Sequence, residues 1–429
     1  MRRLLPLAFA LLLPVCLSLP ASAASSSRPP NFVFILGDDL GTPPISAYGG
    51  TYYRTPHIDT LARDGITFTA AYAACPVCSP TRGALMTGQY PARTRITDFI
   101  AGNPYPFQRL KQPEWQKFLP LSAATLAEEL AARGYATAHF GKWHLNGYSG
   151  PGAPILGSDA HSPGAFGFEE WLSATNFFDR DPVLSRRGAW EELRGDSSEI
   201  VVTEALKHLE RARPSGRPTF TVIWYGSPHS PMIAAEEDMR GFGSMERNSR
   251  NHHGELVAMD RSIGTLRAGL RRLGIADNTL LWFCSDNGGL PEIRPGTVGE
   301  LRGFKGSLHE GGLRVPFLAA GPGIGGGRES DVVVNGLDFY PTILSMTGIQ
   351  RPEAKTLDGA DLFSLLTKDA GDGSLVSGSD GKPRKEMVWH FPHNGASGFQ
   401  STLLSGDFKL IRNYTFPGSP TPQFELYQL

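Results

Sequence analysis

The chain has 429 residues, 40% hydrophobic and 19% charged, with 41 Lys and Arg against 42 Asp and Glu for a net charge of −1. That length and apolar content can fill one large domain and a smaller one, and fifty glycines with 34 prolines imply many tight loops. Without a basic excess there is no electrostatic footprint for nucleic acid or for an anionic membrane surface.

Met1-Arg2-Arg3 is a basic n-region, Leu4 to Leu19 is apolar but interrupted by Pro6 and Pro14, and Ala21-Ser22-Ala23 has the small-x-small form of a cleavage site. Residues 1–23 are therefore predicted to be a secretory signal peptide. Export is expected, to the periplasm or the medium if the source is bacterial. A membrane span is the competing reading, and the short, proline-broken run argues against it.

Further along, Asn31-Phe32-Val33-Phe34-Ile35-Leu36 is predicted to be a buried strand, Leu121 to Arg133 an amphipathic helix stopped by Gly134, and Tyr135 to Phe140 the next strand. Gly147 to Ser198 reads as a long irregular stretch. Thr219 to Trp224 and Thr279 to Cys284 are strands, and Glu255 to Leu273 between them has helical period. Near-continuous apolar strands alternating with helices predict an α/β fold with a large central, mostly parallel sheet flanked by helices on both faces. This domain is expected over residues 30–350 and a smaller C-terminal α+β subdomain over 351–429, with Ala370 to Lys382 a flexible loop rich in Gly, Ser and Asp.

Cys78-Ser79-Pro80-Thr81-Arg82 carries the strongest chemical signal. Ser79 is read as an N-cap, Pro80 as the first helical residue and Gly88 as the stop, which leaves Cys78 just outside a helix N-terminus. Free N–H groups there favour an anion, and Arg82, one turn in, adds a fixed charge with bidentate donors. A buried, inert thiol is the plainer reading of the same residues. Cys75-Pro76-Val77-Cys78 also reads as C-x-x-C, a redox dithiol or half a zinc site, but no second pair completes it. Cys75 and Cys284 are expected to be buried thiols, their pairing left open.

Open α/β sheets place ligands at the carboxyl ends of their strands. The first strand ends in Gly37-Asp38-Asp39 and the one from Thr279 in Ser285-Asp286-Asn287-Gly288-Gly289. Asp and Asn are also ordinary turn residues. If the three carboxylates and the carboxamide converge, their repulsion calls for a cation, and hard oxygen donors suit Ca²⁺ or Mg²⁺ rather than zinc. Lys142 and His144 follow the strand ending at Phe140, His229 follows the one ending at Trp224, and Lys305 stands in Arg302-Gly303-Phe304-Lys305-Gly306. Each alone reads as a surface or structural residue; their common place after strands suggests one site.

The C-x-P-x-R pattern with trailing Thr87-Gly88 resembles the signature of the formylglycine-dependent sulfatases, and the other blocks match that family's pattern in order from Asn31 to Pro316. The resemblance implies an alkaline-phosphatase-like fold and conversion of Cys78 to formylglycine by a formylglycine-generating enzyme. In such relatives one hydroxyl of the aldehyde hydrate attacks sulfur and expels the alcohol, and the other collapses the intermediate to release sulfate. Carried over, Asp38, Asp39, Asp286 and Asn287 would hold a divalent cation, Ca²⁺ ahead of Mg²⁺, with the converted Cys78 completing the shell. Arg82 would fix the formylglycine, Lys142 and Lys305 would bind sulfate oxygens, His229 with Lys305 would protonate the leaving alcohol, and His144 would assist the elimination. The implied substrate is a sulfated small molecule or polysaccharide. Trp171 and the Trp389-His390-Phe391-Pro392-His393 segment read either as a sugar-pocket wall or as core. A formylglycine-dependent phosphodiesterase or phosphonate monoester hydrolase is the nearest alternative, and a non-catalytic sugar binder the other. Relatives continue past Glu425-Leu426-Tyr427-Gln428-Leu429 with an acidic turn and a final helix, so a shortened subdomain or an incomplete sequence is expected. Asn413-Tyr414-Thr415 is a glycosylation sequon.

Overall fold

Side chains of the predicted strands alternate between two separate cores. Phe32, Phe34 and Leu36 enter one and Val33 and Ile35 the other; Leu280, Trp282 and Cys284 alternate likewise with Leu281 and Phe283. A strand buried on both faces needs cover on both, and helices supply it. Arg247–Arg272 and Ser197–Ala212 pack on one face through residues such as Met259, Ile263 and Val201, while Cys78–Thr87 and Phe339–Thr347 pack on the other through Leu85, Met86 and Ile343. The computed structural model describes residues 28–104, 106–147, 150, 152–350, 355–367, 376–378 and 381–429. The expected signal peptide and most of the Ala370–Lys382 loop lie outside them. No helix among the described residues is long and apolar enough to cross a membrane.

The strands in chain order are β1 (Asn31–Gly37), β2 (Ile66–Phe68), β3 (Ala71–Tyr72), β4 (Ala136–Lys142), β5 (Glu170–Ala174), β6 (Val183–Arg186), β7 (Ala189–Glu192), β8 (Thr219–Trp224), β9 (Thr279–Ser285), β10 (Phe317–Ala320), β11 (Arg328–Ser330), β12 (Val334–Asn335), β13 (Glu386–Phe391), β14 (Gln400–Ser405), β15 (Phe408–Asn413) and β16 (Phe424–Gln428). Ten form one sheet in the order β11-β2-β10-β9-β1-β8-β4-β5-β6-β7, whose middle five run parallel. Leu36 pairs with both Trp224 and Cys284, so β1, β8 and β9 end level at one edge of the sheet. A small β3–β12 pair and a four-stranded antiparallel sheet, β13 to β16, complete the strands.

Three elements differ from the sequence reading. The helix expected from Leu121 is formed only over Leu126–Ala131, because Thr125 starts it in a capping box: its Oγ1 accepts from Glu128 N at 3.2 Å while Glu128 Oε2 accepts from Thr125 N at 2.8 Å. The helix expected from Glu255 begins earlier, at Arg247, since its first two turns are polar and show no apolar stripe. The stretch from Gly147 to Ser198 is not irregular throughout: β5 extends the parallel sheet, and β6 and β7 add an antiparallel edge.

Trp171 and Trp389 are core residues, whereas Phe391 and His393 of the same segment as Trp389 line a cavity beside Lys305. Trp171 is buried in the cluster that also holds Phe166 and Phe168, and Trp389 lies beneath the small sheet, donating from Nε1 to Ala73 O at 2.8 Å. Asn413 is buried and its Nδ2 is committed to Pro422 O at 2.8 Å and to Glu425 Oε1 at 2.7 Å, which leaves the sequon closed to glycosylation in the folded chain.

Candidate active site

Every residue singled out at a strand end meets at the level edge of the large sheet. Asp38 and Asp39 follow β1, Lys142 closes β4, Asp286 and Asn287 follow β9, and His229 stands beyond β8 on a loop tied to β1 by Asp38 N donating to Ser227 O at 3.1 Å. Gly141, at φ +110°, lets β4 pass the end of β8: a Cβ there would lie 1.8 Å from Trp224 O. Lys305 is brought in by two backbone bonds, from its own N to Gly289 O at 3.1 Å and from Gly306 N to Pro76 O at 2.8 Å.

The helix bearing the thiol runs from Cys78 to Thr87, with Val77 as N-cap and Cys78 itself the first helical residue. Ser79 therefore does not cap. Its Oγ accepts instead from Ile100 N at 3.1 Å, while the Thr81 hydroxyl pins the approach by bonding Cys75 N and O at 3.1 and 3.0 Å. Gly88 ends the helix in the left-handed region as expected, its N donating to Ala84 O at 2.7 Å. Cys75, Cys78 and Cys284 are all free and buried, so the C-x-x-C pair is not a disulfide here.

Charge is balanced inside the site by ion pairs among its own residues. Arg82, fully buried, donates through Nε and Nη2 to Asp286 Oδ2 at 3.1 and 2.7 Å, and through Nη1 to Lys142 O at 3.0 Å; the Trp224 ring lies 5.1 Å from its guanidinium carbon. Lys142 Nζ donates to Asp38 Oδ2 at 2.6 Å and Lys305 Nζ to Asp39 Oδ2 at 2.7 Å. Burial acts to raise the Asp39 carboxyl, but Lys305, His229 and Lys142 outweigh it and hold it well below the carboxylate range. Asp286 is pushed up to about 6 by burial and by the nearby Asp38 charge.

Both histidines are neutral, and their neighbours fix their tautomers. Burial and Lys142 push His144 well below its usual value, and its Nε2 donates to Ile100 O at 2.6 Å, so the buried Nδ1 is an acceptor without a partner among the described residues. Burial and Lys305 push His229 down to about 3; its Nδ1 donates to Ser230 O at 2.5 Å, leaving Nε2 to accept from Lys305 Nζ at 3.1 Å. Phe177 stacks on His229 at 4.4 Å. Neither that stacking nor the Ile100 carbonyl is visible in the sequence, because both depend on chain brought from outside the motifs.

Donor atoms of Asp38, Asp39, Cys78 and His229 lie within 4.8 Å of one another. Asp38 Oδ1 and Asn287 Oδ1 are buried with no hydrogen-bond partner among the described residues, although the other atoms of both groups are bonded: Asn287 Nδ2 donates to Asp39 Oδ1 at 2.7 Å. Orphaned oxygens of this kind are costly unless a cation meets them, so the donor set fits a hard divalent ion. Asp286 differs from its expected role in part, since Oδ2 is engaged by Arg82 and Oδ1 accepts from Asp39 N at 3.1 Å. Asp39 and His144 both sit in the left-handed region, at φ 61° and 56°, a strain that persists where surrounding contacts over-determine the backbone.

Comparison with known proteins agrees with this geometry. The Sulfatase family matches residues 30–349. The chain is 33% identical to arylsulfatase A of Homo sapiens, over 81% of this chain and 69% of that protein, and 30% identical to the steryl-sulfatase of Mus musculus, over 82% and 67%. Among solved structures, Ps i-CgsB in complex with k-i-k-neocarrahexaose superposes with a TM-score of 0.74 at 25% identity, covering 93% of this chain and 86% of that one. The chain belongs to the sulfatase family, enzymes that hydrolyse sulfate esters.

Proposed function

We propose that this protein is an exported, formylglycine-dependent hydrolase of carbohydrate sulfate esters, with its catalytic domain over residues 30–350 and a subdomain over 351–429. The observation that carries the reading is the position of Cys78: its sulfur lies within 4.8 Å of donor atoms of Asp38, Asp39 and His229, beside two cationic lysines. Burial pushes that thiol up to about 11, against the pull of Lys142 and Lys305, which favours the neutral thiol at neutral pH. An unmodified cysteine is thus a poor nucleophile in this setting. Oxidation of Cys78 by a formylglycine-generating enzyme supplies an aldehyde hydrate in its place. Asp38, Asp39, Asp286 and Asn287 would hold Ca²⁺, which would supply positive charge that acidifies the attacking hydroxyl.

The protein's own groups do the remainder. Lys142 and Lys305 each have one carboxylate partner and further donors for the sulfate oxygens, where charge gathers in the transition state. Arg82, clamped on Asp286 and the Lys142 carbonyl, orients residue 78. Lys305 gives a proton to the departing alcohol and His229 Nε2 lies at 3.1 Å to take part in that transfer. His144 offers the bare Nδ1 as base for the elimination step.

Mass spectrometry of the Cys78 peptide, after expression with the maturating enzyme, should show the aldehyde at 78 and an unmodified thiol at 75. Turnover of 4-nitrophenyl sulfate should exceed that of bis(4-nitrophenyl) phosphate. The reverse preference would instead assign the phosphodiesterase chemistry, and an unconverted Cys78 in an active preparation would sink the mechanism.

A further inference from the structure

Beside Lys305 a cavity of about 430 Å³ opens between the Cys78 segment and the small sheet. Its volume lies in the range of small-molecule sites, about 300–1,000 Å³. Val77 and Lys305 join it to the catalytic cluster, and Phe99 and Phe391 give it an apolar wall. Asp98 and His393 line it too, and both are almost wholly buried, at 2% and 1% exposure. Neither belongs to the sulfate-handling group; His393 stands in the segment read from the sequence as a candidate pocket wall, and Asp98 lies in no motif.

His393 has a buried atom left without a partner among the described residues, and Asp98 stands just out of its reach. Asp98 Oδ1 accepts from Phe99 N at 2.9 Å, and Oδ2 stands 3.6 Å from His393 Nδ1, beyond hydrogen-bond reach. His393 Nε2 is bonded to Thr97 Oγ1 at 2.8 Å, whereas Nδ1 is buried without a partner among the described residues. Burial keeps the imidazole neutral, pushing it down to about 4, so Nδ1 is a donor or an acceptor according to tautomer. A hydroxyl can satisfy either, being both.

We propose, on the sulfatase reading above, that this cavity seats the sugar ring bearing the sulfate, and that Asp98 and His393 read two adjacent hydroxyls on it. A carboxylate and an imidazole nitrogen slightly too far apart to bond each other match a pair of vicinal hydroxyls, while Phe99 and Phe391 offer an apolar surface to the ring's C–H face. An aryl or steroid alcohol would desolvate the same two groups without pairing them, and each unpaired group costs about 1–3 kcal/mol. Sites built around buried polar groups discriminate strongly against ligands that lack the matching hydroxyls.

The test uses the full chain with Cys78 converted, and compares kcat/KM for 4-nitrophenyl sulfate with that for a panel of hexose and N-acetylhexosamine monosulfates. The best sugar sulfate should exceed the aryl ester at least about ten-fold. Burial pushes the Asp98 carboxyl up to about 7, so Asp98→Asn, nearly isosteric, should lower the sugar-to-aryl ratio about ten-fold, as loss of one buried hydrogen-bond partner does. His393→Gln should lower it in the same direction, so that one poorly folding variant does not decide the matter. An unchanged ratio in both variants, or an aryl ester preferred over every sugar, overturns the subsite. Failure of the converted wild type to cleave any sulfate ester overturns the sulfatase reading on which it rests.

Discussion

Arg82 and Asp286 are both fully buried and bonded through two contacts, so each is the other's compensation in a region without solvent. Removing one partner of such a pair leaves a buried charge uncompensated, at about 3–5 kcal/mol. Asp286→Ala should therefore lose bound Ca²⁺ and also unfold earlier in urea, by roughly that free energy; Asp286→Asn, which keeps an acceptor for Arg82 but no charge, should recover only part of the stability and not the metal. Equal stability of the alanine variant and the wild type would show that Arg82 finds another partner. A site role alone predicts loss of metal without unfolding, and the sequence offered nothing against it. The Cys78 pattern was legible because its capping and spacing are local. The partners of Arg82, by contrast, lie 60 and 204 positions away and follow from strand order. For the same reason Ser79 misled as a cap: its true partner, Ile100 N, lies 21 residues on.

At the scale of elements, the small sheet is joined to the large domain through a buried ion pair. Lys409, on β15, is 1% exposed in its side chain and donates to Glu310 Oε1 at 2.7 Å, while Tyr72 of β3 donates to Glu310 Oε2 at 3.0 Å. Apolar Met387, Trp389, Phe391 and Leu404 bury the same face against Tyr72, Val77 and Leu308. Lys409→Met leaves Glu310 with Tyr72 and Arg314 alone, and should destabilise the protein by about 3 kcal/mol or more. Lys409→Met with Glu310→Gln should cost less than the two single losses added, and a double-mutant cycle in denaturant measures the difference; strict additivity would mean the pair is not coupled. β13 buries alternate apolar residues, Met387, Trp389 and Phe391, whereas β15 inverts the pattern, burying Lys409 and Asn413 while Phe408 and Leu410 are exposed, and neither was singled out as a strand. Alternation without a long apolar run is a weaker signal than the continuous stretches of β1, β8 and β9.

At the scale of the whole molecule, apolar content and strand pattern gave the doubly covered sheet, but not its strand order or its antiparallel edges, which depend on how crossovers pack. Nor did they show how many acids the fold buries. Glu255, inside the long helix, accepts from Ile233 N at 2.6 Å through Oε1; its Oε2 is buried without a partner among the described residues, and the Asp179 carboxyl is close enough to raise its pKa. Two carboxyls can bond only by sharing a proton. Burial, reinforced by neighbouring acids, pushes Asp179 up to about 7 and Glu255 well above its usual value. Between the ordinary carboxyl range and these raised values the native state holds protons that the unfolded chain has released, so stability falls as pH rises through that window. Other buried groups also titrate, and comparison with Glu255→Gln cancels them. Glutamine keeps an acceptor for Ile233 N and gains a donor for the Asp179 carboxylate, without a second charge. The variant should match the wild type within about half a degree near pH 5, where the pair still holds its proton, and exceed it by about 1 °C or more in Tm, on the order of 1 kcal/mol or more, at pH 8.5. Parallel Tm curves for the two proteins from pH 5 to 8.5 would mean that Asp179 and Glu255 share no proton, and that the loop carrying His229 is anchored at Ile233 by an ordinary carboxylate.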